Sequence, residues 1–254
     1  MYTQLVNNLD ELGFTEVEPF LSDYLTNSTK EGISLQEALL EISRREISLR
    51  NQRAAQIQVS VSHFPYVKTI EEFDFHFQNT VNKAEIKDLA TLRFLENKEN
   101  ILFYGTPGTG KTHLATAIGI EAAKKRNITY FITCHDLIQT LRKAHDENRL
   151  EARLKHFAKY KLLIIDEIGY LPVDKTGANL LFQLIAKRYE HNSTIITTNQ
   201  PFSKWGDVFS DSMLANAILD RLLHHSHVIK MVGPSYRTKD YYDLLDSGEQ
   251  NQGR

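Results

Sequence analysis

The chain of 254 residues is poor in cysteine, with Cys134 alone, so it cannot form an internal disulfide. No apolar run approaches the roughly 20 residues that a membrane-spanning helix needs. The first residues also lack the basic start and apolar core of a secretion signal. These absences predict a protein of the reducing cytoplasm with no membrane partner.

Neither sign of charge dominates, because 30 Lys and Arg face 32 Asp and Glu and leave a net charge of −2. The global balance therefore gives no argument for nucleic-acid binding, which would need a local basic patch. The 41% hydrophobic and 24% charged composition is ordinary for a globular protein. The length allows either one large domain or one domain with a small appendage.

The first 68 residues have helical periodicity and no strong strand pattern. Gly13 and Gly32 are expected to break helices, and Ser34 with Glu37 forms a capping box before a long helix. The apolar stripe of that helix is expected to comprise Leu35, Leu39, Ile42 and Leu49. The sequence thus predicts a small all-helical N-terminal domain over residues 1–68, binding DNA or a protein partner.

Four arginines cluster toward the end of that long helix, although residues 1–70 hold six Lys and Arg against nine Asp and Glu. A solvated helix face and a surface for DNA phosphates explain the cluster equally well. The candidate DNA-binding residues here are Arg44, Arg45, Arg50 and Arg53.

Strands and helices alternate from residue 79 onward. The predicted strands are 101–104, 128–132, 162–165, 194–197 and 227–230, and the predicted helices are 79–96, 111–126, 134–158, 176–191 and 212–225. Short apolar strands between helices are typical of a parallel sheet covered on both faces. The sequence therefore predicts an α/β nucleotide-binding domain over 69–246, followed by a disordered tail at 247–254.

Two aromatic segments precede this domain. His63-Phe-Pro-Tyr66 is predicted to be a linker. Phe73 and Phe75 are expected at the edge of the nucleotide domain, with a core role favoured over an adenine pocket.

A complete phosphate-binding loop lies between an apolar strand and a helix. Gly105 and Gly110 allow a curled backbone whose N–H groups point at phosphate, and the following helix adds its positive N-terminal end. Lys111 is placed to reach the β- and γ-phosphate oxygens, and Thr112 to ligate Mg²⁺. The predicted ATP-contacting residues are Gly105, Thr106, Pro107, Gly108, Thr109, Gly110, Lys111, Thr112 and His113.

A second apolar strand, 162–165, ends in two carboxylates, Asp166 and Glu167. The carboxyl edge of a parallel sheet is where ligands bind in open α/β folds. Asp166 is therefore predicted to hold Mg²⁺ together with Thr112, and Glu167 to act as general base toward water. Asn199 follows the next strand, which is expected between the phosphate-loop strand and the acidic strand. It is predicted to reach the γ-phosphate and the attacking water.

Several stretches resemble the AAA+ ATPases, in particular the DnaC/IstB branch, and are most similar to the IstB helpers of insertion-sequence transposition. They are Gly105-Thr-Pro-Gly-Thr-Gly-Lys-Thr-His113, Asp166-Glu-Ile-Gly-Tyr-Leu-Pro172, Gly177-Ala-Asn-Leu-Leu-Phe-Gln183, Thr198-Asn-Gln-Pro-Phe202, Ile218-Leu-Asp-Arg-Leu-Leu-His-His-Ser226 and Ser235-Tyr-Arg237. The resemblance implies a P-loop NTPase core of AAA+ type with a helical N-terminal domain and a transposase as partner. It also implies that Arg221 is an arginine finger acting in trans, which requires a homo-oligomer, and that Arg237 is the sensor-2 arginine.

Residues 139–161 carry seven Lys and Arg against three Asp and Glu. In a continuous helix, Arg142, His145, Arg149, Arg153 and His156 would share one stripe. Asp146-Glu-Asn148 favours an interruption, so two shorter helices are an equal alternative. The candidate contacts to DNA phosphates are Arg142, Lys143, Arg149, Arg153 and Lys155, and the competing interpretation is a solvated amphipathic helix.

The motifs predict an ATP- and Mg²⁺-dependent ATPase, and the resemblance implies that it assembles on double-stranded DNA and assists a transposase in target selection. A replicative helicase loader is the alternative within the same fold. A nucleotide-gated DNA-binding scaffold with little hydrolysis is the alternative from another class. The Asp166–Glu167 pair and Asn199 argue against a small-molecule kinase.

Overall fold

The computed structural model describes residues 1–239, so the predicted tail at 247–254 lies outside the described residues. Contacts group Met1–Ile57 into one compact unit and the chain from Gln58 onward into a second. Within residues 1–239, no helix is both long enough and apolar enough to cross a membrane.

The N-terminal unit contains α1 (Tyr2–Glu11), α2 (Glu18–Glu31) and most of α3 (Leu35–Val61). The left-handed Gly32 ends α2, and Ser34 and Glu37 exchange the two hydrogen bonds of a capping box. Both features confirm the sequence prediction.

The predicted apolar stripe of α3 is wrong at Leu35 and Leu39, which are exposed. The helix instead buries Ala38, Ile42 and Glu46, which are spaced four residues apart. The carboxylate of Glu46 can be buried because it accepts a hydrogen bond from the Glu16 backbone and pairs with Arg50.

The second unit is built on a parallel five-stranded sheet of order β2-β3-β4-β1-β5. Its strands are β1 (Asn100–Gly105), β2 (Thr129–Thr133), β3 (Leu162–Ile168), β4 (Ser193–Thr198) and β5 (Ser226–Met231). The predicted parallel sheet is confirmed, and β4 does lie between β1 and β3. The carboxyl ends of these three strands therefore meet at one edge.

Helices cover both faces of the sheet, and a separate apolar cluster fills each side. They are α4 (Lys83–Leu89), α5 (Arg93–Glu96), α6 (Lys111–Lys124), α7 (Cys134–Asp146), α8 (Leu150–Ala158), α9 (Lys175–Arg188), α10 (Trp205–Val208) and α11 (Ser212–Leu223). Side chains of Asn82, Thr133, Asp174 and Asp211 cap α4, α7, α9 and α11.

Two sequence expectations for this unit need correction. The single helix predicted over 79–96 is two helices, because Leu92 adopts a left-handed conformation with φ +73°. The predicted linker at 63–66 is packed structure, since Phe64 lies against the core and the His63 ring is 4.9 Å from the Tyr130 ring.

One buried cation ties α8, α9 and β4 together. Arg188, at the end of α9, is 1% exposed. Its guanidinium donates to the carbonyl oxygens of Phe157, Tyr160 and Ser193, and to the Thr194 hydroxyl. Burial lowers the pKa of Arg188 to about 9. We refer to this set of contacts as the Arg188 clamp.

Candidate nucleotide-binding site and basic groove

The phosphate loop connects β1 to α6 and is fastened to the chain that follows β5. Thr106 N donates to Met231 O at 3.1 Å, and Tyr236 N donates to Gly108 O at 2.9 Å. A Cβ on Gly108 would lie 2.0 Å from Ser235 Oγ, and the residue has φ +78°. Only glycine adopts this left-handed backbone readily and also leaves space for the Ser235 side chain.

Lys111, the first residue of α6, folds its amine back over the loop. Nζ donates to Gly105 O at 2.9 Å and to Thr106 O at 2.7 Å. Burial lowers the pKa of Lys111 to about 8, the Asp166 carboxylate opposes that shift, and Arg237 adds to it. The amine is thus held at the mouth of the loop by carbonyls that phosphate oxygens can replace.

Thr112 and Asp166 are brought together as predicted. Thr112 Oγ1 lies 3.0 and 3.1 Å from the two carboxylate oxygens of Asp166. Burial raises the pKa of Asp166, while hydrogen bonds from Thr197 and Thr112 oppose the rise. A carboxylate beside a hydroxyl is a set of hard oxygen donors that fits Mg²⁺.

Glu167 has an unusual backbone that orients its side chain. Its φ is +63°, and the pairing of β3 with β4 is irregular between Ile165 and Ile168. A bulge of this kind redirects a side chain at a sheet edge. Glu167 N donates to Thr197 Oγ1 at 2.9 Å, and the Thr197 hydroxyl in turn donates to Asp166. The exposed carboxylate of Glu167 lines the pocket over the phosphate loop.

Asn199 lines the same pocket, as predicted from the strand order. Its Oδ1 is buried and has no hydrogen-bond partner among residues 1–239. An unpaired buried carbonyl is costly, and a ligand or water would satisfy it.

The pocket has a volume of about 450 Å³ and extends from the phosphate loop to the segment before α4. Phe73 belongs to the core, as favoured from sequence, but it also lines this pocket. His113 Nε2 lies 2.7 Å from Thr69 O and so holds that segment against α6. Lining residues without a site role predicted from the sequence include Tyr66, Glu72, Asp74, Gln78, Thr197 and Tyr236.

The two predicted arginines occupy different places. Arg237 lines the pocket, in a short 3₁₀ helix after β5. Arg221 lies on α11 and is absent from the pocket lining. Its guanidinium lies 4.8 Å from the centre of the Phe182 ring and donates to Ala217 O.

The basic segment forms two helices, α7 and α8, with a break at Asn148, where φ is +55°. The interrupted alternative is therefore correct, and the single stripe is not formed. Between the helices is a groove of about 390 Å³. We call it the basic groove, and the basic side chains that line it are Lys143, Arg149, Arg153 and His156.

Arg142 does not line the basic groove. It pairs with Asp174 at the start of α9 and lines a different pocket, beside Glu167 and Tyr170. Among the groove residues, Arg149 pairs with Glu147, and nearby Lys155 lies 3.7 Å from Glu151.

The arginines of the N-terminal unit are mostly engaged within it. Arg45 pairs with Glu41, Arg50 with Glu46, and Arg53 with Glu16. In the described part of the chain, Arg44 forms no ion pair.

A phosphate loop after β1, carboxylates near the end of β3 and a polar strand end on the intervening β4 define a P-loop nucleotide-binding fold of the AAA+ class. Two solved structures support this class. The crystal structure of the DnaC helicase loader aligns with a TM-score of 0.52 and 27% identity, covering 59% of this chain and 87% of that one. AMPPCP-bound DnaA from Aquifex aeolicus aligns with a TM-score of 0.55 and 20% identity, covering 73% and 56%, and shows the fold alone.

The family model described as IstB-like ATP binding protein matches residues 7–243, and the chain belongs to this family. A relative from Bacillus thuringiensis subsp. berliner, named for ATP binding and for insertion sequence IS232, is 54% identical over 241 residues. The match covers 95% of this chain and 96% of the relative. The resemblance drawn from the sequence motifs is thereby confirmed.

Proposed function

We propose that this protein is an ATP-hydrolysing helper of transposition that assembles on double-stranded DNA and presents it to a transposase. The observation that carries hydrolysis is the convergence of Glu167 and Asn199 on the pocket over the phosphate loop. The names of the relatives, which refer to ATP binding and insertion sequences, support the biological setting.

The pocket residues divide the chemistry between them. Lys111 would exchange its two carbonyl partners for phosphate oxygens. Thr112 and Asp166 would hold Mg²⁺, which when bound screens the charge of the phosphates. Glu167 would accept a proton from the attacking water, and Asn199 would accept a hydrogen bond from that water through its unpaired Oδ1.

Arg221 supports a homo-oligomer as the active form. An arginine finger stabilises charge on the transferred phosphoryl group. Arg221 does not line the pocket of its own chain, so we propose that it serves the pocket of a neighbouring protomer. Arg237 would contact the nucleotide within the same protomer.

DNA binding is proposed at the basic groove through Lys143, Arg149 and Arg153. Contacts from such residues to phosphates position a protein on DNA without reading its sequence. The helical N-terminal domain is proposed as a second DNA- or partner-binding element, in which Arg44 is the arginine without an internal ion pair.

Hydrolysis is tested by Glu167→Gln. The variant should bind ATP with wild-type affinity but hydrolyse it roughly 10²–10⁴-fold more slowly, the usual contribution of a general base. Glu190→Gln is a matched control, because Glu190 is also exposed and left-handed, with φ +60°, but lies outside the pocket. Wild-type turnover in Glu167→Gln would reject the assigned role, and negligible turnover in the wild-type protein on DNA would favour the scaffold alternative.

DNA binding is tested by replacing Lys143, Arg149 and Arg153 together with alanine. Titration of labelled duplex at several salt concentrations should show weaker binding and a log–log salt slope that is lower by about 0.9 for each phosphate that the variant no longer neutralises. Arg142→Ala is the control, since Arg142 belongs to the same basic segment but lies outside the basic groove. Equally weakened binding in the control and the triple variant would contradict the groove as the binding surface.

A further inference from the structure

Gln78 is a buried amide in the wall of the nucleotide pocket. It precedes α4, is 2% exposed, and lines the pocket together with Phe73 and Tyr236. Its Nε2 donates to Pro234 O at 2.9 Å. A carbonyl can only accept, so this contact fixes which end of the amide is the nitrogen.

The other end of the amide is unpaired. Gln78 Oε1 is buried and lacks a hydrogen-bond partner within residues 1–239. The carboxylates nearby are already engaged: Glu72 accepts from the Thr69 backbone, and Asp74 accepts from the Phe77 backbone and from Lys239. An acceptor left unpaired in a ligand pocket can be satisfied by a donor group of the ligand or by water.

The absence of a side chain at Gly233 leaves space for the Gln78 amide. A Cβ on Gly233 would come within 3.1 Å of Gln78 Oε1 and 3.3 Å of Nε2. Gly233 and Pro234 belong to the segment that is also bonded to the phosphate loop, since Thr106 Oγ1 donates to Gly233 O at 3.0 Å. The position of the amide is therefore tied to the position of the loop.

We propose that Gln78 Oε1 accepts a hydrogen bond from the exocyclic 6-amino group of adenine, so that Gln78 selects ATP by its base. This assignment rests on the proposed function, in which ATP occupies the pocket with its phosphates on the loop. A purine with a 6-oxo group, as in inosine or guanosine triphosphate, would present an acceptor to an acceptor. A purine without a substituent at that position would leave Oε1 unpaired.

The test is calorimetric binding of ATP, purine riboside triphosphate and inosine triphosphate to the full chain. Wild-type protein should bind ATP about 10-fold more tightly than purine riboside triphosphate, the ratio that one hydrogen bond of ordinary strength gives. Inosine triphosphate should bind more weakly still.

The same series is measured on Gln78→Leu and on Gln78→Met, which keeps the side-chain length if the leucine variant does not fold. In either variant the affinities for ATP and purine riboside triphosphate should fall within about threefold of each other. Taking the ratio within one protein removes the general effect of breaking the hydrogen bond to Pro234. Gln183→Leu is the matched control, because Gln183 lies on α9 outside the pocket, and it should keep the wild-type ratio.

Equal affinities for ATP and purine riboside triphosphate in the wild type would overturn the assignment of Gln78, as would a wild-type ratio preserved in the Gln78 variants. Both outcomes leave ATP binding intact and are distinct from failure of the proposed function. That failure would be the absence of any ATP binding by the wild-type protein, and the assignment would fall with it.

Discussion

Thr197→Val removes one hydroxyl and keeps the shape of the side chain. Thr197 is 2% exposed, and its Oγ1 accepts from Glu167 N at 2.9 Å while donating to the Asp166 carboxylate. One hydroxyl therefore joins the residue proposed to hold Mg²⁺ to the residue proposed to activate water. Valine breaks both hydrogen bonds without leaving a cavity.

The expected loss of unfolding free energy follows from these two hydrogen bonds. A backbone hydrogen bond is worth about 1 kcal/mol and a bond to a charged group about 2 kcal/mol, so unfolding free energy should fall by about 3 kcal/mol. Glu167 would also lose the hydrogen bond that holds its left-handed backbone, a conformation that costs about 1–2 kcal/mol. When a less well oriented Glu167 raises the activation free energy by about 1 kcal/mol, the chemical step slows about fivefold.

Two measurements check this prediction: steady-state ATP hydrolysis, and unfolding of the nucleotide-free protein by denaturant. The value of kcat should fall about fivefold, while KM for ATP changes less because Lys111 and the loop are untouched. Thr129→Val is the matched control, since Thr129 is a buried strand threonine whose hydroxyl donates to Asn127 O, outside the pocket. It should lose about 1 kcal/mol of stability and keep wild-type kcat.

A Thr197→Val variant that loses stability but keeps wild-type kcat would contradict this prediction. In that case Glu167 would hold its orientation without the Thr197 hydroxyl. An equal loss of kcat in Thr129→Val would show that the effect belongs to the sheet in general.

Two further predictions concern the charged residues of the site. Raising the pH from 7 to 9 should weaken ATP binding about tenfold, because burial lowers the pKa of Lys111 to about 8 and only the protein with a protonated Lys111 binds ATP. The ATP affinity of Lys111→Arg should not change over this pH range. A wild-type affinity that does not change between pH 7 and 9 would contradict the prediction. Arg221→Ala should bind ATP normally but lose roughly 10³–10⁵-fold in kcat. Mixing it with Lys111→Ala protein should restore part of the activity, whereas no recovery in confirmed mixed assemblies would place Arg221 in cis or in a structural role.

The parts of the fold and site that follow from local sequence are predictable. The phosphate loop needs residues within a few positions of one another, and its glycines are recognisable without tertiary information. The five strands are short apolar runs, and each predicted strand lies within three residues of its observed bounds. Because parallel strands end at one edge, Asp166 and Asn199 can be placed near the loop from the strand order alone.

The remaining parts depend on contacts between distant segments. The left-handed backbone of Glu167 arises from the bulge opposite β4, which no residue type in β3 indicates. The role of Thr197 depends on its contact with Asp166, 31 residues earlier in the chain. The direction of Arg142 depends on Asp174, which a periodicity argument over a single helix cannot include.

The Arg188 clamp also determines where the chain can tolerate substitution. Most of its partners are backbone carbonyls, of Phe157, Tyr160 and Ser193, and every amino acid supplies a carbonyl. Side chains at those positions can therefore vary without breaking the clamp, within the limits of packing. Position 188 has no such freedom, because a neutral residue would leave several buried carbonyls unpaired and lysine lacks the planar fork. Mutational tolerance around the clamp is thus asymmetric, with one intolerant position in α9 facing carbonyl positions that accept many residues.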